Sequence, residues 1–168
     1  LDAVMPSNAT SPAHSVWLND GTGAFSNNGE TIPIDTDRQS VALGDLDGDG
    51  DIDAFVARSN HANAIWTNDG TGHFNYTAGT VGTGGNRDAE LADLNGDGHL
   101  DAVVAKETGA GNEVWINDGS GNFSAGGQSL GTEETPAVEL GDLNGDGTVD
   151  IFFSKNSTGP AEAVYVGD

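Results

Sequence analysis

The chain has 168 residues, with 27 acidic against 5 basic side chains and a formal net charge of −22. That length suits one domain with a real core, while the charge repels phosphate backbones and anionic headgroups and argues against nucleic-acid and membrane-surface binding; with no run of about 18 apolar residues, no membrane insertion is expected. There is no cysteine, which removes disulfides, thiol catalysis, zinc–thiolate sites and iron–sulfur clusters together, and 26 glycines with few strong helix formers favour short strands joined by tight turns.

The chain opens on Leu1-Asp2-Ala3-Val4, which matches Leu100-Asp101-Ala102-Val103 and reads as the tail of an acidic motif running into a strand. A second strand carries Trp17, in Val-Trp-Leu-Asn-Asp-Gly-Thr-Gly-Ala-Phe from Val16, and the Asn-Asp-Gly-Thr-Gly stretch is a hairpin turn into a third strand near Phe25. A new strand over 40–44 leads into Asp-Leu-Asp-Gly-Asp-Gly-Asp-Ile-Asp from Asp45, and another follows over 52–57. The pattern then returns. Trp66 and Phe74 repeat Trp17 and Phe25, a second acidic motif starts at Asp93, and a strand follows it over 100–105. Trp115 and Phe123 repeat again, a third motif starts at Asp142, a strand covers 149–154, and Tyr165 takes the tryptophan position. The aromatic positions are spaced by 49, 49 and 50 residues.

A repeat of four short strands predicts an all-β fold of β-propeller blades, each a four-stranded antiparallel sheet that hides its faces only by stacking on its neighbours. With the strands lettered A to D, and the acidic motif between A and B, the single propeller region spans 1–168 in about 3.4 repeats. A partial blade (B, C, D) covers 1–38, complete blades cover 39–86 and 87–135, and a partial blade (A, B, C) covers 136–168. The repeated Trp and Phe are expected to fill the space between blades. The B–C connections vary in length and are expected to be exposed loops.

The acidic motifs carry the chemistry. Counting from the first aspartate, position 1 is Asp45, Asp93 or Asp142, and position 3 is Asp47, Asn95 or Asn144. Position 5 is Asp49, Asp97 or Asp146, and position 9 is Asp53, Asp101 or Asp150. Side-chain oxygens at alternate positions can curl around one hard cation, and Ca²⁺ takes six to eight oxygens. Position 7 differs in side chain (Asp51, His99, Thr148), which suits a backbone carbonyl ligand. Without a cation the clustered carboxylates repel one another. The expectation is about three Ca²⁺ per chain, offsetting part of the charge. Zinc, copper and magnesium fit this donor set poorly. An EF-hand is rejected because position 12 is Val56, Val104 or Phe153 and the residues after the loop are strand-like.

The combination of Gly-Asp-Leu-Asn-Gly-Asp-Gly-x-x-Asp with Val-Trp-x-Asn-Asp-Gly-x-Gly-x-Phe resembles the FG-GAP/VCBS repeats, the integrin-α-like propeller blades common in exported bacterial proteins. The resemblance implies that the acidic loop between strands A and B holds Ca²⁺ through the residues at positions 1, 3, 5, 7 and 9. It also implies an extracellular or cell-surface setting and a role in adhesion or glycan binding.

The leading functional expectation is therefore a calcium-stabilised, non-catalytic binding module for a glycan or protein ligand. The alternatives are the propeller domain of an exported carbohydrate-active enzyme and a passive spacer. Glu90 and Glu139 occupy matching strand A positions and could line a channel, but the repeat argues for structure rather than a catalytic pair. Arg38 and Arg87, the rare cations before strand A, are expected to pair with nearby acids. With 3.4 repeats the ring is not expected to close: a piece of a longer propeller is the first reading, and self-association to complete a ring the second.

Overall fold

The computed structural model describes residues 3–5, 13–33, 39–107, 111–132, 134–155 and 163–167. Asp2 and Arg38 lie outside them. The described residues form strands and no helix, gathered into four antiparallel sheets. The first sheet is β1 (Ala3–Met5), β2 (Ala13–Asn19) and β3 (Phe25–Pro33). The second is β4 (Gln39–Gly44), β5 (Asp53–Arg58), β6 (Asn63–Asn68) and β7 (Phe74–Val81). The third is β8 (Asn86–Ala92), β9 (Asp101–Lys106), β10 (Asn112–Asn117) and β11 (Phe123–Leu130). The fourth is β12 (Val138–Gly141), β13 (Asp150–Phe153) and β14 (Ala163–Tyr165). Each sheet is a meander in sequence order, so these are the B-C-D, A-B-C-D, A-B-C-D and A-B-C blades read from the repeat.

Strand B begins one residue later than the pattern of apolar residues indicates. Asp53, Asp101 and Asp150 are themselves its first residues, paired with Gly44, Ala92 and Gly141 at the end of strand A. The apolar residue before each aspartate belongs to the loop, as the 46% exposure of Ile52 shows.

The core is divided among the gaps between blades. Strand β5 reads Asp-Ala-Phe-Val-Ala-Arg and is buried on both faces, the pattern of a strand covered on each side. Its alternating side chains serve different neighbours. Ala54 and Val56 pack with Val16 and Ile32 of the first blade. Phe55 and Ala57 pack with Ala89, Ala102 and Val104 of the third. Strand β9 repeats the division, sending Val103 and Ala105 toward Val138, Ile151 and Phe153 of the fourth. Trp115 and Phe123 take the expected place against the cluster joining blades two and three, with Phe123 edge-on to Phe55 at 5.5 Å between ring centroids. Trp66 and Phe74 do the same one blade earlier, whereas Phe25 of the first blade is 47% exposed.

The leucine at position 2 of each acidic loop records this stacking. Leu46 is fully buried, Leu94 packs against the core shared with the fourth blade, and Leu143, in the fourth blade's loop, is 57% exposed. The leucine is therefore buried by the blade that follows it, and position in the sheet alone does not bury it.

Candidate functional site

The three acidic loops share one internal geometry. The position 1 carboxylate accepts hydrogen bonds from the loop's own backbone, Asp45 from Gly48 and Gly50 at 2.8 and 3.0 Å. Asp93 takes Gly96 and Gly98 at 2.8 and 2.9 Å, and Asp142 takes Gly145 and Gly147 at 2.6 and 2.9 Å. The glycine at position 6 has φ of 94°, 88° and 90° at Gly50, Gly98 and Gly147, a left-handed conformation that turns the chain back toward position 1. Positions 3 and 5 bond the amide two residues on, a local Asx-turn pattern: Asp47 and Asn95 accept from Asp49 and Asp97, and Asp49 and Asp97 accept from Asp51 and His99. Asn144 and Asp146 repeat this with Asp146 and Thr148. In the first loop, oxygens of Asp45, Asp47 and Asp49 lie within 4.8 Å of one another. The hydrogen bonds to Asp97 and Asp146, from the residue at position 7 and from the position 3 amide, hold both carboxyls below their usual range.

Position 9 differs from the rest. Asp53, Asp101 and Asp150 are fully buried. One oxygen of each accepts the backbone N–H of the position 2 leucine: Leu46 at 2.8 Å, Leu94 at 3.1 Å and Leu143 at 2.8 Å. The other accepts a backbone N–H just after the strand C aromatic: Asn68 at 2.8 Å, Asn117 at 2.9 Å and Gly167 at 2.8 Å. These aspartates thus tie the acidic loop to the end of strand C in their own blade, a structural role the metal-ligand reading of the sequence did not include. Burial is the main influence on Asp53 and Asp101, and it pushes both carboxyls above the usual range.

In the first two loops the position 7 side chain is taken up by the C–D turn, while Thr148 donates its hydroxyl to Asp146 Oδ1 in its own loop. Asp51 lies where a Cβ on Gly70 would come 2.5 Å from its Oδ2, and the His99 ring fills the equivalent space at Gly119. Asn117 carries the contact across blades: its amide donates to the Leu46 carbonyl of the second blade's loop at 2.9 Å and to Leu100 of its own blade at 3.1 Å. The first two acidic loops are consequently joints among strand A, strand B and the C–D turn, the third joins strands A and B to the end of strand C, and the first also meets the next blade.

A different site lies between the second and third blades. Here a cleft of about 530 Å³ is bounded by Thr83 on the connection leaving β7, by Glu113 and Trp115 on β10, and by Gln128 and Ser129 on β11. A bulge shapes its floor: pairing of β10 with β11 shifts between Glu113 and Trp115, so that 126–128 stand opposite Val114 alone. Glu113 is held from two sides, with Lys106 Nζ at 2.9 Å from Oε1 and Trp115 Nε1 donating to Oε2 at 3.0 Å. Lys106 is 1% exposed and also donates to the carbonyls of Thr83 and Gly84 and to Asn86 Oδ1. The repeat does not announce this site, because the counterparts of Glu113 two residues before the aromatic are Ser15, Ala64 and Ala163. The signal available was a break in the repeat at this position.

Of the other residues singled out, Arg87 pairs with Glu107 at 3.1 Å and Glu134 at 3.5 Å, as expected. Glu90 is pushed upward by burial, then by the charges of Asp88 and Glu139. Asp88 joins three successive strands A, accepting from Ser40 Oγ at 2.6 Å and from the Val138 N–H at 3.1 Å.

Four-stranded meander sheets stacked through shared cores define a β-propeller array. The chain belongs to the FG-GAP-like repeat family, whose model matches residues 7–56, 45–104 and 93–153. A solved lectin of Agrocybe aegerita, described as specifically recognising non-reducing terminal N-acetylglucosamine, has a similar fold, with a TM-score of 0.57 at 19% sequence identity. The match covers 100% of this chain and 53% of the lectin's, so the chain spans about half the length of that structure. No curated protein matches the chain.

Proposed function

We propose that this chain is a calcium-stabilised, non-catalytic glycan-binding module that works outside the cell. The observation that carries the binding reading is the cleft between the second and third blades, where an indole wall and fixed polar groups meet in a space suited to a small ligand. The ligand class is supported by the fold shared with a lectin for terminal N-acetylglucosamine. The charge of −22 opposes anionic ligands.

The calcium reading rests on the donor set. All candidate side-chain ligands but His99 offer oxygen, and the carboxylates of Asp45, Asp47 and Asp49 are drawn together with no cationic side chain bridging them among the described residues. Asp45, Asp47, Asp49 and Asp53 would hold the ion of the first loop, Asp93, Asn95, Asp97 and Asp101 the second, and Asp142, Asn144, Asp146 and Asp150 the third, with the backbone of Asp51, His99 and Thr148 contributing. A bound ion would cancel the repulsion within each loop and so lock the A–B turn. The export reading follows from calcium use and the family's common setting. The test is a glycan array probed at 1–2 mM calcium and again in EDTA; binding of terminal neutral sugars in the first condition supports the module, and an array blank in both refutes it.

A further inference from the structure

The cleft has a feature that a generic inter-blade gap lacks. Lys106 has counterparts at the end of strand B in Arg58 and Lys155, so a cation there belongs to the repeat. Glu113 has none, since the matching positions hold Ser15, Ala64 and Ala163. A carboxylate has therefore been added at one blade only, beside a lysine that three other acceptors already satisfy. The added carboxylate neutralises a buried lysine, and it also brings an acceptor to the edge of the cleft.

The carboxylate is also poised. Lys106 and the Trp115 indole each occupy one lone-pair direction, one on each oxygen, and fix the group's orientation. A carboxylate offers about four acceptor directions, so each oxygen keeps a free one. Glu113 is 26% exposed and borders the cleft, so it can be reached from solvent. Glycine at residue 82 leaves room for this arrangement, since a Cβ there would lie 2.8 Å from Glu113 Oε2 and 3.2 Å from the Trp115 ring. Two hydrogen-bond donors side by side on a rigid ring match two parallel acceptors on one carboxylate.

We infer that Glu113 is the specificity-determining residue of a single saccharide site per chain, accepting two hydrogen bonds from a free vicinal diol on a neutral sugar ring against the Trp115 wall. This rests on the glycan-binding reading and narrows it in two ways: one site rather than one per blade gap, and a diol rather than an acetamido or anionic group as the element read by charge.

The experiment is titration calorimetry of the whole chain in calcium with methyl glycosides of N-acetylglucosamine, glucose, galactose and mannose, followed by deoxy analogues of whichever binds best. The expected result is one sugar per chain, with removal of either hydroxyl of one vicinal pair weakening binding about tenfold or more, the scale of one hydrogen bond to a charged acceptor. Glu113→Gln should weaken binding similarly. Because it strands Lys106, the double variant Lys106→Met/Glu113→Gln is measured beside it; it removes the ion pair as a unit and should fold while binding no better than Glu113→Gln. Glu30→Gln, the same change in the first blade, should bind as the parent does. Binding at several sites per chain, or full affinity in the folded double variant, overturns the inference and leaves the glycan reading standing. Failure of the parent chain to bind any of the four sugars overturns both.

Discussion

Replacing Asp101 by alanine separates the two roles that the acidic loop assigns to position 9. Its carboxylate is fully buried and accepts the N–H groups of Leu94 at 3.1 Å and Asn117 at 2.9 Å. Removing it leaves two backbone donors without partners, at a cost of about 1–3 kcal/mol each. Burial pushes this carboxyl upward, so the native state also carries a desolvation cost that alanine relieves. The net expectation is a loss of about 2–4 kcal/mol that persists in EDTA. Asp97 gives the contrast: it is exposed and bonds only loop groups, so Asp97→Ala should change stability in EDTA far less than Asp101→Ala does. Urea denaturation followed by tryptophan fluorescence, with and without calcium, measures both. If Asp101→Ala matches the parent in EDTA and loses stability only when calcium is present, position 9 is a metal ligand alone and the structural tie is refuted.

Calcium itself should stabilise strongly, since a ligand bound only by the folded state contributes about 4 kcal/mol per site at a thousandfold excess over its Kd; an unchanged melting temperature after exhaustive chelation would count against the sites, and Asp97→Ala should lower the calcium stoichiometry by one. Asn117→Ala should cost about 1–3 kcal/mol, because it strips the buried Leu46 carbonyl and the part-buried Leu100 carbonyl of a donor, and the loss should fall on cooperativity between the second and third blades in hydrogen exchange. His73 on the second blade lies 3.0 Å from Glu30 on the first, and the hydrogen bond to Glu30, then its charge, raises the imidazole above 6.5. A raised histidine contributes its stabilisation below the unfolded value and loses it as pH rises through the folded one, so this inter-blade pair should weaken from mildly acid to neutral pH. An NMR titration should place the His73 midpoint above the ordinary value, and Glu30→Gln should lower it toward that value, leaving the smaller influence of Asp69.

The repeat made the blades legible. Apolar alternation, the Asn-Asp-Gly turns and the 49-residue period specify strands, hairpins and stacking because each is a local property of the chain, or a local property copied at a fixed interval. The same regularity displayed the acidic loops, since their ligand pattern lies within nine consecutive residues. Other features depend on residues far apart in sequence. That Asp53 and Asp101 brace the C–D turn requires strand C to lie beside strand B, and the partners are 15 and 16 residues away. That Leu46 is buried while Leu143 is exposed depends on whether another sheet covers the loop, because burial is a property of the neighbour. The cleft joins Thr83, Lys106 and Glu113, separated by up to thirty positions and brought together only when the third blade docks on the connection leaving the second. A periodic sequence shows what every blade shares, whereas a departure such as Glu113 gains a chemical meaning only from the side chains that folding sets around it.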